Sequence, residues 1–93
     1  MNVESTTINT YMNTSINSEA FLVEIIRYGN EELGTQYYGI FTVFKDIAPE
    51  MRRYNEYRGG KYPAYYVTSL NLNPGAGNPT DLRQAKRIRY EAD

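Results

Sequence analysis

Two short runs, Phe21-Leu22-Val23-Glu24-Ile25-Ile26 and Tyr37-Tyr38-Gly39-Ile40-Phe41-Thr42-Val43-Phe44, constrain this chain more than any other feature. Both are rich in β-branched and aromatic residues, which fit a pleated sheet. A helix starting at Ser18 competes for the first run, because short apolar runs are ambiguous by period. The β-branched content favours strands over 20–28 and 36–44. Between them Gly29-Asn30-Glu31-Glu32-Leu33-Gly34 reads as a turn, so the pair is a hairpin. Alternation places Phe21, Val23 and Ile25 on one side of the first strand, with Leu22, Glu24 and Ile26 on the other. In the second strand Tyr37, Phe41 and Val43 oppose Tyr38, Ile40 and Phe44. Both faces are apolar, and each needs a cover.

Pro49 suits the first turn of a helix, with Asp46 as a possible cap. That helix runs to Arg58 with Met51, Tyr54 and Tyr57 as its apolar stripe, and Gly59-Gly60 ends it. Residues 62–72 form a third strand, whose first residues Pro63 assigns to an edge. After the loop Asn73 to Gly77, Asn78 can cap a second helix from Pro79 to about Tyr90. Residues 1–17, rich in Thr, Asn and Ser, read as an arm. The expected fold is α+β: a small three-stranded antiparallel sheet with one packed helix in β-β-α-β order. An N-terminal extended arm spans 1–19, the domain 20–72, and a loop with a basic C-terminal helix 73–93. One helix covers one face. The other falls to the tail helix, the arm or a partner, which is the physical argument for a docking protein.

Composition narrows the chemistry. The chain has no cysteine, no histidine and no tryptophan. It can form no disulfide, no Cys/His metal or haem site, no thioether-linked group and no histidine-based nucleophile pair. The Glu31-Glu32 and Glu50/Glu56 pairs read as solvated charges rather than catalytic carboxylates. Gly75-Ala76-Gly77 lacks the third glycine of a dinucleotide fingerprint and reads as a loop. The expectation is a protein that is not an enzyme and carries no cofactor. No apolar stretch approaches a membrane span, and the first residues lack the basic and apolar regions of a secretory signal, leaving the Asn13-Thr14-Ser15 sequon idle.

Net charge is −1, unevenly spread: residues 1–50 carry seven acids and two bases, residues 51–93 eight bases and four acids. A basic second half suits an acidic partner. There are ten tyrosines, more than so small a core can bury, and tyrosine is enriched at interfaces. The candidate partner-binding residues are therefore Arg52, Arg53, Arg58, Lys61, Tyr62, Tyr65, Tyr66, Arg83 and Arg87. Mixed bases and aromatics also stack on single-stranded nucleic acid, but the balancing acids argue against a dedicated nucleic-acid binder.

Phe21 to Ile26, then Asn30-Glu31-Glu32, then Tyr38-Gly39-Ile40-Phe41-Thr42-Val43, then a helix with Met51 and Arg53, then Gly59-Gly60-Lys61 and a last strand form one ordered pattern. Over roughly 20–70 it resembles the small linker domain of phycobilisomes, which caps phycobiliprotein rods and cores. The family pattern is an F-x-x-E-V-V strand, a second strand ending Val-Pro-Tyr, an Arg-containing helix and Gly-Gly-Lys-Ile-Val. This chain departs from it at Val43-Phe44-Lys45, at Tyr62-Pro63, in a helix stripe shifted by one position, and in its acidic balance. The resemblance implies a domain seated in a ring of phycobiliprotein subunits, assisting light-harvesting assembly and energy transfer. It implies a peripheral place on the cytoplasmic face of a thylakoid or in the chloroplast stroma, and otherwise the cytoplasm, with no membrane insertion. From another class, a small phage-type inhibitor that blocks a nucleic-acid-processing enzyme is the alternative. A coloured, bilin-absorbing complex separates the linker from a colourless complex with a nuclease or polymerase.

Overall fold

The computed structural model describes residues 19–71 and 85–93. The expected arm, the loop and the first part of the expected tail helix lie outside the described residues. The described chain is α+β: a four-stranded antiparallel sheet with one helix. Strands β1 (Glu19–Ile26) and β2 (Thr35–Phe41) form the expected hairpin, and helix α1 (Ile47–Tyr57) follows. Strand β3 (Ala64–Asn71) then pairs with β1, and β4 (Arg87–Glu91) with β3. The sheet order is β2-β1-β3-β4.

The sheet has four strands where three were expected. Residues 87–91 are a strand, not the end of a C-terminal helix. Ile88 and Tyr90 alternate with Arg87, Arg89 and Glu91, and the free side of β3 supplies ladder partners that a helix could not use. Consequently β3 is an inner strand, and Pro63 precedes it rather than marking an edge. The Pro63 carbonyl accepts a 2.8 Å bond from the amide of Ala92, so even this residue is tied to the tail.

The faces of β2 also differ from simple alternation. A register shift opposite Val23 and Glu24 pairs Gly39 with Val23 and Tyr37 with Glu24, leaving Tyr38 as the extra residue of a bulge. The bulge turns Tyr38 toward the helix, where it packs with Phe41 and meets Tyr54 edge-on, with ring centroids 4.9 Å apart. Tyr37 and Ile40 are left together on the opposite face. β2 ends at Phe41, so Phe44 leaves the strand and packs edge-on against Phe21 and Tyr90 from a 3₁₀ turn (Phe44–Asp46).

The core lies between the sheet and α1. Phe21, Val23, Ile25, Tyr65 and Val67 project from the sheet onto Ile47, Met51, Tyr62 and Ala92. The helix stripe is Ile47, Met51 and Tyr54, at i, i+4 and i+7, and Tyr57 is 83% exposed rather than part of it. Met51 has no exposed surface, so Met51→Ala would cost about 2–5 kcal/mol. Asp46 precedes the helix but its side chain makes no capping bond. The exit is built as expected. The Gly60 amide bonds to the Asn55 carbonyl and the Gly59 amide to the Glu56 carbonyl, with both glycines at positive φ, 69° and 80° for Gly59 and Gly60. That bond pair is a Schellman motif.

Candidate functional site

One face of the sheet carries α1. The other carries no helix among the described residues, and its side chains divide into two zones. Toward β4 lies a polar ladder centred on Glu24, which is only 9% exposed. Its carboxylate accepts two 3.0 Å bonds from Arg87, through Nε and Nη2, and a 2.9 Å bond from the Thr35 hydroxyl. The Arg87 guanidinium lies 3.8 Å from the centroid of the Tyr66 ring, and the Tyr66 hydroxyl donates to Glu31. Arg89 then pairs with Glu31 at 3.7 Å and with Glu91 at 3.4 Å. Burial pushes the Glu24 carboxyl up, but the bonds from Arg87 and Thr35 together with the Arg87 charge outweigh it and hold it below the usual carboxylate range. The ladder closes the hairpin turn and β4 onto the same face, and its donors and acceptors are matched.

Toward β2 the face is apolar. Leu22, Tyr37, Tyr38, Gly39 and Ile40 line a shallow depression of about 360 Å³. Tyr37 is 77% exposed and Ile40 67%. They sit on an edge strand whose seven residues, Thr-Gln-Tyr-Tyr-Gly-Ile-Phe, include no charge. The opposite edge, β4, is Arg-Ile-Arg-Tyr-Glu. Charged side chains protect a sheet edge from pairing with another chain, so only the β4 edge has that protection.

The residues singled out from the sequence do not form one surface. Tyr62 and Tyr65 are buried, and their rings belong to the core. Tyr66 and Arg87 are on the opposite face, in the ladder. Arg53 bonds to Glu50 on the helix, and Glu50 also accepts from the Tyr38 hydroxyl. Those two bonds hold the Glu50 carboxyl low. Burial and the Glu50 bond push the Tyr38 phenol up to about 12. Arg58 caps the helix exit, with its guanidinium 5.2 Å from the Tyr62 ring centroid and a 3.0 Å bond to the Tyr54 hydroxyl. Arg52 and Lys61 are exposed, and Arg83 lies outside the described residues.

Sequence reasoning missed Glu24 as the hub of the ladder. A signal was present: one glutamate inside Phe-Leu-Val-Glu-Ile-Ile must be either solvated or paired, and Ile25 and Ile26 are both buried. It also missed Arg27 and Tyr28 beside Lys61. No group of His, Cys, Asp or Glu among the described residues is placed to hold a metal ion. No described helix is long and apolar enough to cross a membrane. No family model matches the chain, and neither a curated protein nor a solved structure matches it.

Proposed function

We propose that this chain is a non-catalytic linker or cap that docks inside a phycobiliprotein ring, assisting antenna assembly and energy transfer. The observation that carries the reading is the asymmetry of the sheet. One face is sealed by α1, while the other ends in an uncharged edge strand with Tyr37 and Ile40 exposed. A contiguous exposed apolar strip on a small domain is what a partner surface covers. The β-β-α-β order of residues 19–71 and the glycine-pair exit from α1 agree with the linker-domain resemblance. The fourth strand goes beyond it and leaves β2 as the edge available to a ring wall. In this reading the protein is peripheral, on the cytoplasmic face of a thylakoid or in the stroma, and needs no bilin of its own.

The test mixes the purified chain with purified phycobiliprotein hexamers and follows both through a density gradient. Co-sedimentation at fewer copies than the ring subunits, with a shift in bilin absorption or emission, is the expected result. Separate migration from every phycobiliprotein tried, with unchanged spectra, would end the reading.

A further inference from the structure

Where β1 leaves the sheet, Arg27-Tyr28-Gly29-Asn30 makes a tight turn closed by a 3.0 Å bond from the Asn30 amide to the Arg27 carbonyl. Both central residues have positive φ, 56° at Tyr28 and 66° at Gly29. That is the pattern of a type I′ turn, whose first central position belongs to Asn, Asp or Gly. Tyrosine there is a backbone outlier, since a Cβ crowds the left-handed conformation. No other described non-glycine residue has positive φ. The conformation is held from outside, because the Tyr28 amide donates a 2.6 Å bond to the Lys61 carbonyl. Strain of this kind persists where surrounding structure over-determines it, and it clusters at binding sites.

The ring that the strain positions is not a core ring. Tyr28 is 55% exposed. The Arg27 guanidinium lies 5.2 Å from its centroid, and Lys61 follows the glycine pair just across the turn. The Tyr62 side chain, on whose ring Arg58 rests, in turn helps to hold the Arg27 charge. The corner therefore gathers Arg27, Arg58, Lys61 and the exposed Tyr28. None of the three cations forms an ion pair with a carboxylate among the described residues. Glu31, the nearest acid in the turn, is taken by Tyr66 and Arg89. A hydrogen bond from the Arg27 side chain, then the Arg27 charge and that of Lys61, hold the Tyr28 phenol below its ordinary value, so both cations act on this side chain.

We infer that this corner is a binding site for a carboxylate-bearing protein surface, with Tyr28 as its aromatic anchor and Arg27, Lys61 and Arg58 as its cations. The inference deepens the docking reading, on which it rests, by naming the chemistry of the partner. A protein carboxylate fits better than a nucleic acid. The corner holds only three cations, and Glu32 and Glu56 flank it in sequence, so a continuous run of phosphates would meet repulsion on leaving it. Discrete carboxylates would not. Guanidinium groups receive a carboxylate through paired N–H donors, and an exposed ring beside them excludes water from the contact.

The experiment uses the full chain with poly-L-glutamate as probe at low ionic strength, read by amide chemical shifts. Saturable binding is expected, with the amides of Tyr28, Gly59, Gly60 and Lys61 moving most. Tyr28→Asn suits the turn better than tyrosine does while removing the ring. It should leave Tm unchanged or raised and weaken binding on the order of fivefold, as truncation of an interface aromatic does. Joint replacement Arg27→Gln and Lys61→Gln should abolish the shifts. Unchanged binding by Tyr28→Asn would overturn the proposal. So would a lowered Tm in that variant, which would make Tyr28 a packing residue. Tighter binding of an oligothymidylate than of poly-L-glutamate would make the corner a nucleic-acid surface instead. No phycobiliprotein is present, so a failure here leaves the ring reading to its own sedimentation test. A failed sedimentation with a positive result here removes the ring and keeps the corner.

Discussion

Arg87 holds Glu24 from two strands away, with its guanidinium over the ring of Tyr66 and two 3.0 Å hydrogen bonds to the carboxylate. The pair links β4 to β1 across β3, between residues 63 apart in the chain. Arg87→Leu removes the donor and leaves Glu24 charged in a site where its side chain is 11% exposed. A fully buried pair broken this way costs about 3–5 kcal/mol, but the Arg87 side chain is 44% exposed and water can reach the site. A loss of about 2 kcal/mol is expected, measured by urea unfolding at pH 7.

The same carboxylate makes the fold acid-sensitive. Both Glu24 and Glu50 have folded-state pKa values below the ordinary 4.5. A depressed acid contributes its stability above the unfolded pKa and loses it as pH falls through the folded one. Stability should therefore be flat near neutrality and fall below about pH 4.5. Glu24→Gln should lower Tm at pH 7 and show a shallower decline toward pH 3, followed by circular dichroism. Parallel curves for wild type and variant would remove Glu24 from the transition.

At the alkaline end Tyr38 takes over. Its pKa is raised to about 12 from 10, so its protonated form is favoured by folding. That contribution is complete below pH 10 and is lost as pH rises toward 12. Tyr38→Phe should cost about 1–2 kcal/mol at pH 7, the worth of a hydrogen bond to a charged acceptor. It should also flatten the alkaline limb of the stability curve and remove a phenol that ionises at about 12 from an ultraviolet titration.

Gly59 and Gly60 separate conformational strain from crowding. A Cβ added at either would meet nothing within 4 Å, so any cost of substitution comes from the positive φ alone. Gly59→Val and Gly60→Val should each cost about 1–2 kcal/mol. Gly59→Asn should cost less, because asparagine tolerates the left-handed region. Equal losses for Asn and Val in denaturant titrations would mean that the helix exit is not what limits these positions.

The hairpin, α1 and its glycine exit were legible because each is written locally, in alternation, in a proline near the start and in a glycine pair at the end. The tail was not. Leu82, Ala85 and Ile88 fit a helical period, while Ile88 and Tyr90 fit a strand period, and a stretch this short satisfies both. The vacant ladder of β3 decides between them, and that is a tertiary fact. The Tyr38 bulge is similar: one extra residue exchanges the faces of Tyr37 and Tyr38, and Gly39 beside it hints at a bulge without fixing its place. Of the site, the basic residues near Gly59 could be read from sequence. The Glu24–Arg87 pair and the meeting of Arg27 and Tyr28 with Lys61 could not, because the chain brings them together only by folding.

The uncharged β2 edge is open to a second chain. An edge strand with exposed Tyr37 and Ile40 and no charge among its seven residues invites pairing with another chain. The purified chain should therefore self-associate with concentration and bind a dye that reports exposed apolar surface. Ile40 faces away from α1 and is 67% exposed, so Ile40→Lys should change stability by no more than about 0.5 kcal/mol, the usual range for surface substitutions. The lysine would place one charge in the middle of the apolar strip, at the side of the edge where a second chain must approach. Analytical ultracentrifugation should show the variant monodisperse where the wild type is not. In the docking reading the same change should also reduce co-sedimentation with phycobiliprotein hexamers, because the strip is then the covered surface. A variant that becomes monodisperse yet co-sediments as well as the wild type would separate the two roles, assigning β2 to self-association and the partner contact to the Arg27–Lys61 corner.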